Sequence, residues 1–169
     1  MKILILYGSK YGTTEECARK LKSYLHGDID LVNIKENKGV KLANYTKIII
    51  GGSVYAGMFN KDIKKFLENN KSELAQKYLG IYMCCMSHGE KVKEQLEQNI
   101  PKEILDAAKI KESFGGAFKF SKMNFFEKMI IKMIAKKDEN IGTVDGKKDI
   151  YKIDQEAISK FAVAMSKLI

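Results

Sequence analysis

Strand-length apolar runs alternate with amphipathic helical segments along most of this chain, and that alternation limits its fold more than any other feature. Residues 2–7, 29–34, 47–52, 78–83 and 110–118 read as strands, and 14–26, 60–70, 90–99, 102–108 and 154–168 as helices. Strands separated by helix-length segments cannot close as hairpins; each crosses over the sheet and returns parallel to its predecessor. The expected fold is α/β, a five-stranded parallel sheet between two layers of helices, with residues 1–169 as a single domain. Lys47-Ile48-Ile49-Ile50-Gly51-Gly52 suits a central strand buried on both faces, whereas 29–34 alternates as an edge strand does. Helix 14–26 places Cys17, Ala18, Leu21 and Leu25 on one side, and 60–70 turns Ile63, Phe66 and Leu67 inward.

Open parallel sheets bind ligands beyond the carboxyl ends of their strands, where the strand order reverses. Three turns fall there. The first, Gly8-Ser9-Lys10-Tyr11-Gly12-Thr13-Thr14-Glu15, runs from a strand into a helix. A helix begins with unpartnered amides and partial positive charge, so a phosphate fits its amino end. Gly8 and Gly12 permit close approach, and Ser9, Thr13 and Thr14 bring hydroxyls that orient toward phosphate oxygens. The nucleoside-triphosphate loop G-x-x-x-x-G-K-[ST] is absent, and the glycines at 8 and 12 do not form a dinucleotide G-x-G-x-x-G. The plainer alternative is a polar turn with Thr13 or Thr14 as helix N-cap. The second turn, Ser53-Val54-Tyr55-Ala56-Gly57, offers a flat ring, and the third, Cys84-Cys85-Met86-Ser87-His88-Gly89, a flexible backbone. Together they suit a phosphorylated planar cofactor better than ordinary loop packing.

The net charge of +9 comes almost wholly from lysines spread along the chain. A solvated lysine coat explains it, as would attraction to acidic ligands or anionic lipid; no nucleic-acid module is present and no nucleic-acid partner is expected. Cys17, Cys84 and Cys85 lack zinc or C-x-x-C spacing, so neither a metal site nor a disulfide is expected, and a reducing cytoplasm is. The first apolar run has strand length and leads straight into the phosphate turn, which disfavours a signal peptide.

Ser9-Lys10-Tyr11-Gly12-Thr13-Thr14 resembles the FMN-phosphate pattern [ST]-x-x-G-x-T of the flavodoxins, with Thr13 where asparagine often stands. More narrowly, Gly51-Gly52-Ser53-Val54-Tyr55-Ala56-Gly57-Met58-Phe59 and Phe114-Gly115-Gly116-Ala117-Phe118 resemble the menaquinone-dependent protoporphyrinogen dehydrogenase branch. The segment 121–134 is similar to that branch's insertion, here about residues 119–149. The resemblance implies a flavodoxin-like sandwich with strand order 2-1-3-4-5, FMN as cofactor, and transfer of electrons from a tetrapyrrole precursor to a quinone. It also implies phosphate contacts from Ser9, Lys10, Tyr11, Gly12, Thr13 and Thr14. Ring contacts would come from Ser53, Val54, Tyr55, Ala56 and Gly57 on one side and Met86, Ser87, His88 and Gly89 on the other. An electron carrier that docks on redox partner proteins is the alternative, and a quinone reductase or flavin-sensing domain a weaker third.

Within the insertion, Met123, Phe126, Ile130, Met133 and Ile134 share one helical face, with Lys128, Lys132 and Lys136 toward another. A core-covering helix and a helix resting on anionic lipid are both open, the latter giving peripheral contact through 121–137 at the inner face of the cell membrane. The flavin would carry the redox chemistry, so no acid–base triad is expected. His88 suits a hydrogen bond to the ring or an exposed loop. Cys84 and Cys85 are adjacent, which suits a redox-active pair, but better suits strand-end packing, and His26 suits a cation at a helix end. Electron-carrying flavodoxins are acidic and this chain is not, so a readily reduced flavin is expected.

Overall fold

The computed structural model describes residues 2–137, 141–142 and 144–168. In chain order the elements are β1 (Lys2–Gly8), α1 (Thr13–Tyr24), β2 (Asp28–Asn33), β3 (Lys47–Tyr55), β4 (Met58–Phe59), α2 (Lys61–Leu74) and β5 (Tyr78–Cys84). There follow α3 (Glu90–Asn99), α4 (Lys102–Ala107), β6 (Ile110–Ser113), β7 (Gly115–Phe118), α5 (Phe125–Lys137), β8 (Ile150–Ile153) and α6 (Gln155–Lys167). The parallel strands lie in the order β2-β1-β3-β5-β6, which is 2-1-3-4-5 when the parallel strands alone are counted. The parallel α/β sheet expected from the alternation is therefore present, in the strand order that the flavodoxin resemblance implies.

Successive side chains of a strand point to opposite faces, and the two helical layers follow from that. Leu4, Leu6, Ile48, Ile50 and Ile81 pack on one side with Ile63 and Leu67 of α2 and Ile104 of α4. Ile3, Ile5, Ile49 and Tyr82 pack on the other with Leu21 of α1 and Phe161 and Met165 of α6. There the Tyr82 and Phe114 rings stack at 4.4 Å, and Phe161 meets Phe114 edge-on at 5.3 Å. Buried Lys47 donates to the carbonyls of Met165 (2.9 Å) and Ser166 (3.3 Å), satisfying the last turn of α6.

Four expectations need correction. Segment 110–118 is not one strand. It breaks after Ser113, so β6 closes the parallel sheet while β7 pairs antiparallel with β8, which the apolar pattern did not reveal. Gly115 enables the break: its φ is +69°, and a β-carbon there would stand 1.9 Å from the Lys152 carbonyl oxygen. The β7–β8 hairpin thus holds the two ends of the insertion together. Second, Ser53 to Tyr55 continue β3 rather than forming a turn, and β4 folds back on them. The two-residue loop between, Ala56 (φ +51°) and Gly57 (φ +78°), has the positive dihedrals that match strand twist in a tight hairpin. Third, α1 stops at Tyr24, leaving His26 exposed beyond the helix end.

The fourth concerns α5. Ile131 and Ala135 are its buried residues, and the residues expected to share one face are divided: Phe126 and Met133 are exposed, while Ile130 and Ile134 are half-buried. The helix is apolar around much of its circumference, so periodicity alone does not set its rotation. Its first turn does. Asn124 accepts from the Glu127 amide and Glu127 accepts from the Asn124 amide, both at 2.9 Å, a reciprocal capping box. The other Glu127 oxygen pairs with Lys10 of the first turn at 2.6 Å. Among the described residues, no helix is long and apolar enough to cross a membrane.

Candidate functional site

Beyond the carboxyl ends of β1, β3 and β5 lies a cleft of about 340 Å³, within the range of small-molecule sites. Its floor comes from the three predicted turns and its roof from the insertion. Ser9, Lys10, Tyr11, Thr13, Thr14, Ser53, Val54, Tyr55, Ala56, Gly57, Met86 and Ser87 all line it. Gly12, His88 and Gly89, predicted with them, are not in the lining, and His88 and Gly89 are exposed.

Gly12 is the N-cap of α1, with φ +94° and no side-chain cap, so neither Thr13 nor Thr14 fills that role. Its amide donates to Ser9 Oγ at 2.9 Å, which folds the loop over the helix end. The threonines are thereby left for other work. Thr13 and Thr14 are buried, and Thr14 Oγ1 has no hydrogen-bond partner among the described residues.

Two more buried side-chain oxygens share that condition, Tyr11 Oη and Gln95 Oε1, and all three residues line this one cleft. Buried polar atoms are ordinarily satisfied. Three orphans around one cavity, beside a helix amino end, fit a ligand with an anionic tail and a polar head. Gln95 is oriented for this, since its Nε2 donates to Ser87 Oγ at 3.0 Å. The hairpin carrying Tyr55 is held by Asn99, whose Nδ2 donates to the Gly57 carbonyl (2.9 Å) and whose Oδ1 accepts from the Phe59 amide (3.0 Å).

Around the mouth, Lys10 connects three elements. Its ammonium lies 4.0 Å from the centre of the Tyr55 ring and 5.2 Å from that of Tyr11, and it pairs with Glu127. The Tyr55 hydroxyl donates to the Glu127 carbonyl at 3.4 Å. The Lys10 ammonium, with smaller help from Tyr11 and the Asn124 amide, holds the Glu127 carboxyl down at about 2. Burial, then the nearby Glu127 carboxylate, raises the Tyr11 phenol well above its ordinary value, although its hydroxyl makes no hydrogen bond of normal geometry. Among the described lining residues Lys10 is the one cationic side chain, and no carboxylate lines the cleft. An anionic, electron-rich guest therefore meets no like charge there.

Cys84 and Cys85 also line the cleft but are buried. The neighbouring Cys17 and burial raise the Cys84 thiol, and burial raises that of Cys85, so both stay protonated at neutral pH. They pack rather than react.

The roof escaped sequence reading. Met123, Ile131, Ile134 and Ile141 of the insertion line the cleft from above together with Phe118 of β7, with Gly116 and Ala117 at its side. So did Lys119, buried beside α1 and paired with Glu16 at 2.6 Å. The unusual apolarity of α5 was the available signal for the roof; for Lys119, one lysine among many, none existed.

The flavodoxin-domain family profile matches residues 4–143. The protoporphyrinogen IX dehydrogenase [quinone] of Leishmania major is 26% identical, over 95% of this chain and 73% of that protein. The protein of the same name from Escherichia coli K12 is 24% identical, over 96% of this chain and 93% of its own. Among solved structures, Streptococcus pneumoniae TIGR4 flavodoxin superposes with a TM-score of 0.60 at 14% identity, over 100% of both chains. Oxidised flavodoxin 1 of Bacillus cereus gives 0.58 at 16% identity, over 100% of this chain and 99% of its own. At such identity the structures speak for the fold.

Proposed function

The chain belongs to the flavodoxin-domain family, and from that premise we propose that it is an FMN-dependent oxidoreductase taking electrons from a protoporphyrinogen-type tetrapyrrole and passing them to a quinone. The apolar roof carries this reading. A carrier needs an open flavin edge; here Met123, Ile131, Ile134 and Ile141 enclose the cleft in a pocket suited to a hydrophobic reactant. The names borne by the Leishmania and Escherichia coli relatives support the substrate and the acceptor.

Bound FMN supplies the redox centre, accepting electrons from one partner and releasing them to the other. The residues of this chain do the rest. The α1 amides with Ser9, Thr13 and Thr14 bind the phosphate, and Gln95 Oε1 accepts a hydrogen bond from the cofactor's polar edge. Tyr55 and Met86 flank the ring, and the roof excludes water. Lys10, with Lys122 whose ammonium lies 3.5 Å from the Tyr11 carbonyl, attracts a substrate bearing carboxylates.

The insertion also presents a second apolar face. Phe125 and Phe126 are 75% and 69% exposed, and Met129 and Met133 are exposed as well, beside Lys122, Lys132 and Lys136. This combination suits an anionic lipid surface, where a quinone resides. The same patch would also suit a docking protein, which keeps the carrier as the second reading.

Anaerobic assay with protoporphyrinogen and a menaquinone analogue tests the proposal. Turnover is expected; reduction by a protein reductase alone would establish the carrier instead. Wild-type protein should sediment with anionic liposomes and a Phe125→Asp/Phe126→Asp variant should not; equal sedimentation would remove the lipid contact.

A further inference from the structure

Two lysines are buried among the described residues, Lys47 and Lys119. Lys47 donates to two carbonyls of the α6 end. Lys119 differs. Its side chain is 5% exposed, yet of its three ammonium donors the described residues take one, at Glu16 Oε1, 2.6 Å away. The Tyr151 ring lies 5.7 Å from the ammonium, and nearby Asp149 is engaged with Ser121. Burying an ammonium with donors unspent is unfavourable, and Glu16 is itself 53% exposed and solvated. The position explains the arrangement. Lys119 Nζ stands 3.6 Å from where a β-carbon on Gly12, the N-cap of α1, would sit.

We propose that Lys119 is the cationic half of the phosphate seat, reaching from the insertion hairpin to donate to a phosphate monoester held by the α1 amides, with Glu16 steering its ammonium. The inference rests on the FMN reading and deepens it. The insertion then does more than cover the ring, because it brings the charge that makes the site prefer the phosphorylated flavin to riboflavin.

The test is fluorescence titration of apoprotein with FMN and with riboflavin, followed by phosphorus NMR of bound FMN. Lys119→Met should weaken FMN binding by about tenfold or more, the scale of a lost charge-assisted hydrogen bond. Riboflavin binding should stay within roughly twofold of wild type, and Lys119→Arg should recover most of the FMN preference. The phosphorus resonance of bound FMN should shift in Lys119→Met and not in Lys119→Arg. The double variant Lys119→Met/Glu16→Gln, which leaves no unpaired charge behind, should behave like the single one and guards against a folding defect. FMN affinity within roughly twofold of wild type in either Met variant would overturn the inference. Failure of wild-type protein to bind either flavin would overturn the FMN reading instead.

Discussion

Glu127→Gln isolates the contact that fastens the roof to the phosphate turn. Glutamine keeps the capping box with Asn124 but gives up the charge facing Lys10. Holding the carboxyl at about 2 against an ordinary 4.5 corresponds to roughly 3 kcal/mol. Lys10 is 41% exposed, so solvent screening reduces the contribution to about 1–2 kcal/mol. Because the folded value lies below the unfolded one, the stabilisation is present above pH 4.5 and disappears as pH falls through about 2. Urea unfolding of both apoproteins from pH 7 to pH 3 measures it. The variant should be less stable by that amount at pH 7, with roughly half or more of the gap closed by pH 3. Taking the difference between the two proteins removes the shared acid sensitivity of other stabilised carboxyls such as Asp30 and Asp149. A gap that is absent at pH 7, or unchanged down to pH 3, would refute the role given to Lys10.

Asn99→Ala should destabilise the protein by about 1–3 kcal/mol, since it leaves the buried Phe59 amide unpaired, and should loosen the Tyr55 hairpin; urea unfolding and FMN titration report the two effects. Ala56→Asn should stabilise the two-residue hairpin, because asparagine tolerates the positive φ of that position better than alanine does. A gain of about 1 kcal/mol would raise Tm by roughly 2–4 °C in calorimetry. Gly12→Asp should abolish tight FMN binding, since it adds a carboxylate and a strained φ of +94° at the phosphate seat; a variant that stays yellow through gel filtration would contradict it. The midpoint potential of bound FMN should lie above those of acidic flavodoxins, and Glu127→Gln, which unbalances Lys10, should raise it further by on the order of tens of millivolts. Anaerobic spectroelectrochemical titration measures both.

The parallel sheet and the floor of the cleft were legible because each rests on local chemistry. Apolar runs such as Ile48-Ile49-Ile50 announce buried strands, and Gly12 followed by two threonines announces the amino end of a helix. What stayed hidden depends on contacts distant in sequence. The split of 110–118 into β6 and β7 depends on β8, whose four residues alternate too weakly to stand out between lysines. The rotation of α5 depends on a salt bridge between Lys10 and Glu127, which no helical period encodes. Tyr55 looked like an open stacking platform, yet its ring also carries the Lys10 ammonium and its hydroxyl a bond to the insertion. His88 sat in the right loop and faces water.

The cover over the cleft is a single helix deep. With side chains included, an α-helix is about 10–12 Å across, and α5 bears Ile131 and Ala135 beneath and Phe125, Phe126, Met129 and Met133 above. An acceptor seated on the outer surface would thus be kept from the cleft by the thickness of this one helix. If the cleft holds FMN as proposed, an electron would have only that thickness to cross, and a donor in the cleft and an acceptor outside it would not need to share the chamber.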